Sequence, residues 1–254
     1  MTERSTAVEA PPEVRDRLAI VLDVDDAVAA MRLAKEVRPW FGVAKVGLEL
    51  YSAVGPDVFA SLQDLGYDVF ADLKFHDIPT TVGRAARVIG ALGPRYLNLH
   101  ALGGPDMLRA GVEGLKAGAA GAGLPEPIAL GVTILTTDAT ADEQELTRRA
   151  TIARDSGCDG VVCAAADLPL IRRVDPGLVT VVPGIRTAGF EVHDQVRVAT
   201  PADAIAAGAS LLVVGRTVTA ADDPTRAAAA VAAEVADALA PGGGAVSSRH
   251  RAAQ

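Results

Sequence analysis

The sequence predicts an α/β protein, a single (β/α)8 or TIM barrel with its active site at the C-terminal ends of the strands. Short β-branched runs alternate with longer Ala- and Leu-rich stretches of helical period. Half of the residues are apolar but only 4% are aromatic, so the core must consist of Ala, Val, Leu and Ile. Such a core suits helices packed on a parallel sheet. No change in composition separates the units, which favours one barrel.

The pattern predicts eight strands and a helix after each of them. The strands are expected at residues 18–22, 43–46, 69–73, 96–99, 128–133, 160–163, 179–182 and 211–214. Helices are expected, for example, at residues 26–38, 56–65 and 81–91. The barrel should occupy residues 15–240. Residues 241–254 are rich in Gly and Ser without hydrophobic periodicity, and we expect them and residues 1–14 to be disordered tails.

A doubly wound open sheet is the alternative architecture. It would need a G-x-G-x-x-G loop after an early strand, and the sequence has none there. The glycine-rich segment 111–123 lacks the Lys-Ser/Thr ending of a phosphate-binding loop. We interpret this segment as a connecting loop, so the barrel remains the favoured fold.

Charge and hydropathy exclude several classes of protein. A formal net charge of -8 argues against a nucleic-acid partner, because no broad cationic surface is available for phosphate backbones. The apolar runs have the length of strands and are too short to span a membrane, and the charged N-terminus does not resemble a secretion signal. Cys158 and Cys163 have no partners at metal-ligand spacing and are interpreted as small core residues. We therefore expect a soluble cytoplasmic protein.

Polar residues collect at the C-terminal end of nearly every predicted strand, where a barrel carries its active site. Solvation alone would not favour one end of the strands. These residues are Asp23, Lys45, Asp72, Lys74, His100, Thr133, Thr136, Arg186, Gly215 and Arg216.

The segment DLKFHDIPTT, residues 72–81, is the densest group of charges. Because side chains alternate in a strand, Asp72 and Lys74 should point to the same side. Lys45 lies in an otherwise apolar strand and needs carboxylate neighbours, for which Asp23 and Asp72 are the candidates. A solvated turn and a structural buried ion pair are the simpler explanations. Alternating charges that hold one another ionised favour a site.

Two loops near the C-terminus predict a phosphate site. Segments 181–187 and 211–218 follow the seventh and eighth strands, where barrels often bind phosphate through backbone N–H groups and an arginine. Arg216 is the candidate arginine, and simple surface solvation is its alternative. The polar loop with His193, Asp194 and Gln195 is a candidate lid, although we assign no role to the first two.

The histidines do not predict a metal site. His76 and His100 lie in different loops without a recognisable second shell of hydrogen-bond partners. His76 is interpreted as a hydrogen-bonding residue of its turn, and His100 as part of the floor of the pocket.

Nine segments in order resemble the orotidine 5'-phosphate decarboxylase family, from Leu18 to about Thr225. The most specific is DLKFHDIPTT, in which Phe75 stands where the family often has Leu. The others are LDVDD, AKVGLELY, LNLHALGG, VTILTT, GCDGVVC, VPGIR, DQVRVATP and VVGRTVT.

The resemblance implies a cofactor-free and metal-free decarboxylation of orotidine 5'-monophosphate to UMP by a homodimer. It implies that Lys74 donates a proton within a charged network with Lys45, Asp72 and Asp77. Asp77, Ile78 and Thr81 would contribute to the neighbouring subunit's site. The remaining implied contacts are Asp23 and Lys45 to the ribose, Thr136 near the pyrimidine, Gln195 between pyrimidine and phosphate, and Gly215, Arg216 and Arg186 at the phosphate.

Two other functions remain open. A Mg2+-dependent sugar-phosphate decarboxylase or aldolase of the same superfamily also uses an Asp-x-Lys pair, although HDIPTT and Gln195 favour the nucleotide enzyme. A non-catalytic phosphate-binding barrel would keep Gly215 and Arg216 but has no use for Lys74 between two aspartates.

Overall fold

The computed structural model describes residues 8–135, 142–187 and 198–240, which fold into a closed parallel barrel. Its strands are β1 Leu18–Val21, β2 Val43–Val46, β3 Asp68–Phe75, β4 Tyr96–His100, β5 Ile128–Val132, β6 Gly160–Val162, β7 Val179–Val182 and β8 Leu211–Val214. Each strand pairs with the next in the chain, and β8 pairs with β1 to close the barrel. The predicted (β/α)8 fold is therefore confirmed.

Helices cover the outside of the barrel. They are α1 Pro12–Arg15, α2 Ala27–Val37, α3 Leu48–Val54, α4 Asp57–Asp64, α5 Pro79–Gly90, α6 Gly104–Gly121, α7 Glu143–Asp155, α8 Leu168–Val174, α9 Pro201–Ala206, α10 Arg216–Thr219 and α11 Pro224–Leu239. The three helices predicted as examples correspond to α2, α4 and α5. Asp26 begins α2 by accepting a hydrogen bond from the N–H of Ala29 at 2.6 Å, as expected for an N-cap aspartate.

Alternation along the strands produces two apolar layers. The larger core lies between the sheet and the helices and includes Ile20, Ala44 and Leu97. A smaller cluster lies inside the barrel and includes Val21, Phe70 and other inward-facing residues. Alternate residues of each strand face the inside of the barrel. Those near the C-terminal ends of the strands therefore point into the central pocket.

The predicted N-terminal tail is too long. Residues 12–14 belong to α1, and Val14 is buried in the main core. The backbone N–H of Ala10 also bonds to the carbonyl of Pro39 at 2.9 Å. The burial of the apolar side chain of Val14 stabilises this segment against the barrel, whereas the many charges around it had suggested a disordered tail. The expected C-terminal tail lies outside the described residues.

The interpretation of residues 111–123 as a loop is wrong, since most of this segment belongs to α6. Its glycines permit close contact with neighbouring elements. A Cβ on Gly111 would lie 2.6 Å from Leu99, and Cβ atoms on Gly114 and Gly118 would collide with the backbone carbonyls of Gly83 and Arg87 on α5. Tertiary packing against α5 thus outweighs the low helix propensity of glycine.

In the described part of the chain, no helix combines the length and apolar character that crossing a membrane requires.

Candidate active site

A cavity of about 560 Å³ opens at the C-terminal ends of the strands. Its lining combines apolar side chains from inside the barrel with charged side chains from the strand ends. The predicted site residues that line it are Asp23, Lys45, Asp72, Lys74, Arg186, Gly215 and Arg216. The structure therefore brings together, in one cavity, two groups of residues that the sequence placed far apart.

Four charged side chains form a continuous alternating row at one side of the cavity. Lys45 Nζ lies 3.0 Å from Asp23 Oδ1 and 3.0 Å from Asp72 Oδ2. Lys74 Nζ lies 2.6 Å from Asp72 Oδ1. The side chains of Lys45 and Asp72 are 8% and 12% exposed, whereas Lys74 is 36% exposed and faces the cavity. The order Asp23, Lys45, Asp72, Lys74 confirms the carboxylate neighbours that Lys45 was predicted to need.

The row keeps its buried members ionised. Burial alone would raise the pKa of Asp72, but the ammonium groups of Lys45 and Lys74 outweigh it and hold that pKa below its usual value. Burial alone would lower the pKa of Lys45, but the carboxylates of Asp72 and Asp23 outweigh it and raise that pKa. At neutral pH, Asp72 is therefore an anion and Lys45 a cation, each stabilised by the other.

The backbone is irregular where β3 delivers Lys74. The pairing of β3 with β4 changes register between Ala71 and Phe75. Lys74 has a φ of 48°, the left-handed region that a residue with a side chain seldom adopts. Such a conformation costs free energy and is often found at functional sites.

Asn98 is a site residue that the sequence reasoning missed. It lies on β4, is fully buried, and accepts a hydrogen bond from the backbone N–H of Lys74 at 2.7 Å. Its side-chain Nδ2 donates to Asp72 Oδ1 at 2.6 Å. One signal was available, because Asn98 is a polar residue in the apolar run LNLH and shares the inward face with His100.

The other side of the cavity is built from β7 and β8. Gly215 follows β8 as the N-cap of α10, and Arg216 is the first residue of that helix, so peptide N–H groups of the first helical turn lie at the cavity. Arg186 is buried, and its Nη1 donates to the carbonyl of Ile185 at 2.8 Å. Thr217 donates to the same carbonyl at 2.9 Å and fixes α10 to the end of β7. This side can accept a dianion by backbone N–H groups and guanidinium groups together.

Three predicted residues do not reach this cavity. Asp77, Ile78 and Thr81 are exposed where β3 leads into α5, and none of them lines the pocket. Asp77 Oδ1 accepts a hydrogen bond from the N–H of Ile78 at 2.6 Å, and Ile78 is 65% exposed. Thr136 and Gln195 lie outside the described residues, as do His193 and Asp194.

The rings of His76 and His100 stack with their centroids 5.4 Å apart. Burial, followed by the proximity of His76, lowers the pKa of His100, so His100 is neutral at neutral pH. His100 Nδ1 accepts a hydrogen bond from the N–H of Leu102 at 3.3 Å. Among residues 8–135, 142–187 and 198–240, no group of three or more His, Cys, Asp or Glu side chains is arranged to hold a metal ion.

Arg149 is a second residue near the site that the sequence pattern did not indicate. It is a buried residue of α7, and its Nη1 donates to the carbonyl of Thr133 at 2.8 Å, just beyond the end of β5. Its Nε bonds to Glu145 at 2.5 Å. Arg149 thereby holds in place the start of the connection that contains Thr136.

Comparison with known proteins gives a consistent result. The model of the orotidine 5'-phosphate decarboxylase / HUMPS family matches residues 16–231. The orotidine 5'-phosphate decarboxylase of Moorella thermoacetica is 43% identical over 233 residues, which cover 87% of this chain and 92% of that protein. The one from Halorhodospira halophila is 44% identical, with 91% and 98% covered. The crystal structure of orotidine 5'-phosphate decarboxylase from Lactobacillus acidophilus has a TM-score of 0.73 and 34% identity, with 87% and 99% covered.

Proposed function

This chain belongs to the orotidine 5'-phosphate decarboxylase / HUMPS family, and we propose that it converts orotidine 5'-monophosphate to UMP and CO2, the final step of UMP synthesis. One observation carries this proposal. The alternating row ends in Lys74 at one side of a cavity whose other side holds Arg186 and Arg216. A nucleotide has its base and its phosphate at opposite ends, so its base could lie at Lys74 while its phosphate lies at the two arginines.

Lys74 is the group that meets the developing charge. When the bond from C6 to the carboxylate breaks, CO2 leaves and the electron pair stays at C6, in an orbital that the pyrimidine ring cannot delocalise. An ammonium beside C6 stabilises that carbanion electrostatically and then transfers a proton to it. Water returns a proton to the lysine after UMP forms. The half-exposed position of Lys74, at the cavity end of a buried row, suits both steps.

Asp72 has two effects. Its negative charge keeps the ammonium of Lys74 within 2.6 Å, so the proton donor is in place before the substrate binds. It would also lie near the departing carboxylate, and repulsion there would raise the free energy of the bound substrate relative to the transition state. Lys45 keeps Asp72 ionised for both purposes.

The phosphate supplies binding energy away from the reacting atom. Arg216, the N–H of Gly215 and the supporting Arg186 would hold the phosphate, while Asp23 and Lys45 would hold the ribose hydroxyls. The polar loop containing Gln195 would close over the nucleotide, and Thr136 would contact the pyrimidine. Closure excludes water and strengthens the charge interactions at C6.

A homodimer would complete the site. Asp77, Ile78 and Thr81 are exposed and do not line their own cavity, so they are free to reach that of a second copy. Mixing Lys74→Ala and Asp77→Ala protomers tests this arrangement. Mixed dimers should regain activity because some sites then contain both intact residues, whereas no recovery would contradict shared sites. We place the enzyme in the cytoplasm, which fits its two free cysteines.

The test of the proposed reaction is the loss of orotidine 5'-monophosphate absorbance in the presence of EDTA. The wild type should consume the substrate, and Lys74→Ala should be slower by at least about 10⁴-fold, since it loses both the proton donor and the cation. Lys35→Ala, an exposed lysine on α2, is the matched control and should keep full activity. Loss of activity in EDTA that Mg2+ restores would instead support the sugar-phosphate class.

A further inference from the structure

We infer that Asn98 is a positioning residue, which holds Lys74 and Asp72 in the arrangement that the decarboxylation needs. This inference rests on the proposed function and assigns a residue on β4 to the same site. Asn98 does not line the cavity, so it acts on the substrate only through its neighbours.

The first argument concerns the backbone of Lys74. The register shift between β3 and β4 occurs at this point, and a φ of 48° is unfavourable for lysine. The N–H of Lys74 finds its acceptor in Asn98 Oδ1 at 2.7 Å. Because Asn98 is fully buried, water cannot readily replace that acceptor. Asn98 thus stabilises the conformation that turns Lys74 Nζ toward Asp72 and the cavity.

The second argument concerns the carboxylate. Asp72 Oδ1 accepts one bond from Asn98 Nδ2 and one from Lys74 Nζ, both at 2.6 Å, while Oδ2 contacts Lys45. Three donors from three strands therefore fix the orientation of the carboxylate plane. Of the three, only Asn98 is uncharged, so it orients Asp72 without changing the charge of the row.

The third argument is chemical specificity. The N–H of Lys74 can only donate, and an ionised Asp72 can only accept. The residue between them must offer one acceptor and one donor in a short side chain. Asparagine does so at every pH, and a carboxylic acid does so only when it carries a proton. In Asn98→Asp, the pair of hydrogen bonds to the N–H of Lys74 and to Asp72 should therefore form only when the new side chain is protonated.

The experiment measures kcat and KM for orotidine 5'-monophosphate with the wild type, Asn98→Ala and Asn98→Asp across a range of pH. Asn98→Ala should lose about 10²-fold in kcat, the typical effect of a misplaced catalytic group, with a much smaller change in KM because the phosphate side is untouched. For Asn98→Asp, the ratio of its kcat to that of the wild type should rise as the pH falls, because protonation restores the acceptor and donor pair.

Thr180→Val is the matched control. Thr180 is a fully buried, hydrogen-bonded residue of β7, and its contacts with Gly208 and Ser210 lie at the opposite end of the barrel from the cavity. This variant should lose thermal stability but keep kcat within about twofold of the wild type, as expected for a distant site.

The outcomes separate this inference from the proposed function. An inactive wild type would overturn the proposed function itself. An active wild type with an equally active Asn98→Ala would overturn only the role of Asn98. If Asn98→Ala does not fold, the pH series of Asn98→Asp decides: a ratio that rises at low pH supports positioning, and a ratio independent of pH overturns it.

Discussion

The two sides of the cavity are built by different means. On the side of β1, β2 and β3, charged side chains are paired within 3.0 Å, and their attraction raises the pKa of Lys45 and lowers that of Asp72. On the side of β7 and β8, Gly215, Arg216 and Arg186 line the cavity. The first side is held together by its own ion pairs, whereas the second side is the one to which the proposed function assigns the phosphate. The proposed function thus assigns chemistry and phosphate binding to two different sides of one cavity.

The division predicts that Asp72→Asn mainly lowers kcat. The amide cannot hold two ammonium groups, so Lys45 and Lys74 would separate from the row and from C6. We expect a loss of about 10³-fold or more in kcat, comparable with the removal of a preorganised electrostatic group. Steady-state kinetics on orotidine 5'-monophosphate checks this. Asp64→Asn, an exposed residue at the end of α4, is the control, and equal activity in both variants would contradict a special role for Asp72.

The same division predicts that Arg216→Ala mainly raises KM. Losing one charge-assisted contact to the phosphate should cost about 2–3 kcal/mol, which corresponds to roughly 30- to 150-fold in affinity. Kinetics and calorimetric binding of UMP measure this loss, with Arg226→Ala on the outer helix α11 as the control. Orotidine without its phosphate should bind the wild type and Arg216→Ala equally. A variant that loses kcat alone would show that the two sides are not separable in this way.

The smallest expected difference is the dependence of stability on pH. Burial opposes the charge on Asp72, but Lys45 and Lys74 outweigh it and hold its pKa below the ordinary value of 3.8. This stabilisation is complete above that ordinary value and is lost as the pH falls through the lower folded-state pKa. Urea unfolding between about pH 6 and pH 3 should therefore show a steeper loss in the wild type than in Asp72→Asn. The free energy of unfolding of Arg216→Ala should depend on pH as that of the wild type does. Identical pH dependence in all three proteins would show that Asp72 does not contribute to the loss of stability in acid.

Much of this architecture follows from local pattern. Short β-branched runs located every strand, and the alternation of side chains along a strand indicated that Asp72 and Lys74 share a face. Prediction failed where a distant contact changed the local preference. Residues 111–121 are helical because their glycines allow close packing against α5, and residues 12–14 join the barrel because Val14 reaches the core. Sequence spacing describes neither contact.

By itself, then, the sequence determined the repeating units and the shared face of Asp72 and Lys74, because these depend on residue type and on spacing along the chain. It also indicated Asp23 and Asp72 as partners of Lys45, because a buried ammonium needs carboxylate neighbours. Only the tertiary structure decided the distances within the charged row and which of the predicted residues line one cavity. It also decided the register shift between β3 and β4 and the hydrogen bond from the backbone N–H of Lys74 to Asn98. Those features depend on contacts between residues of different strands. Such residues are distant in the sequence, so spacing along the chain does not reveal the contacts.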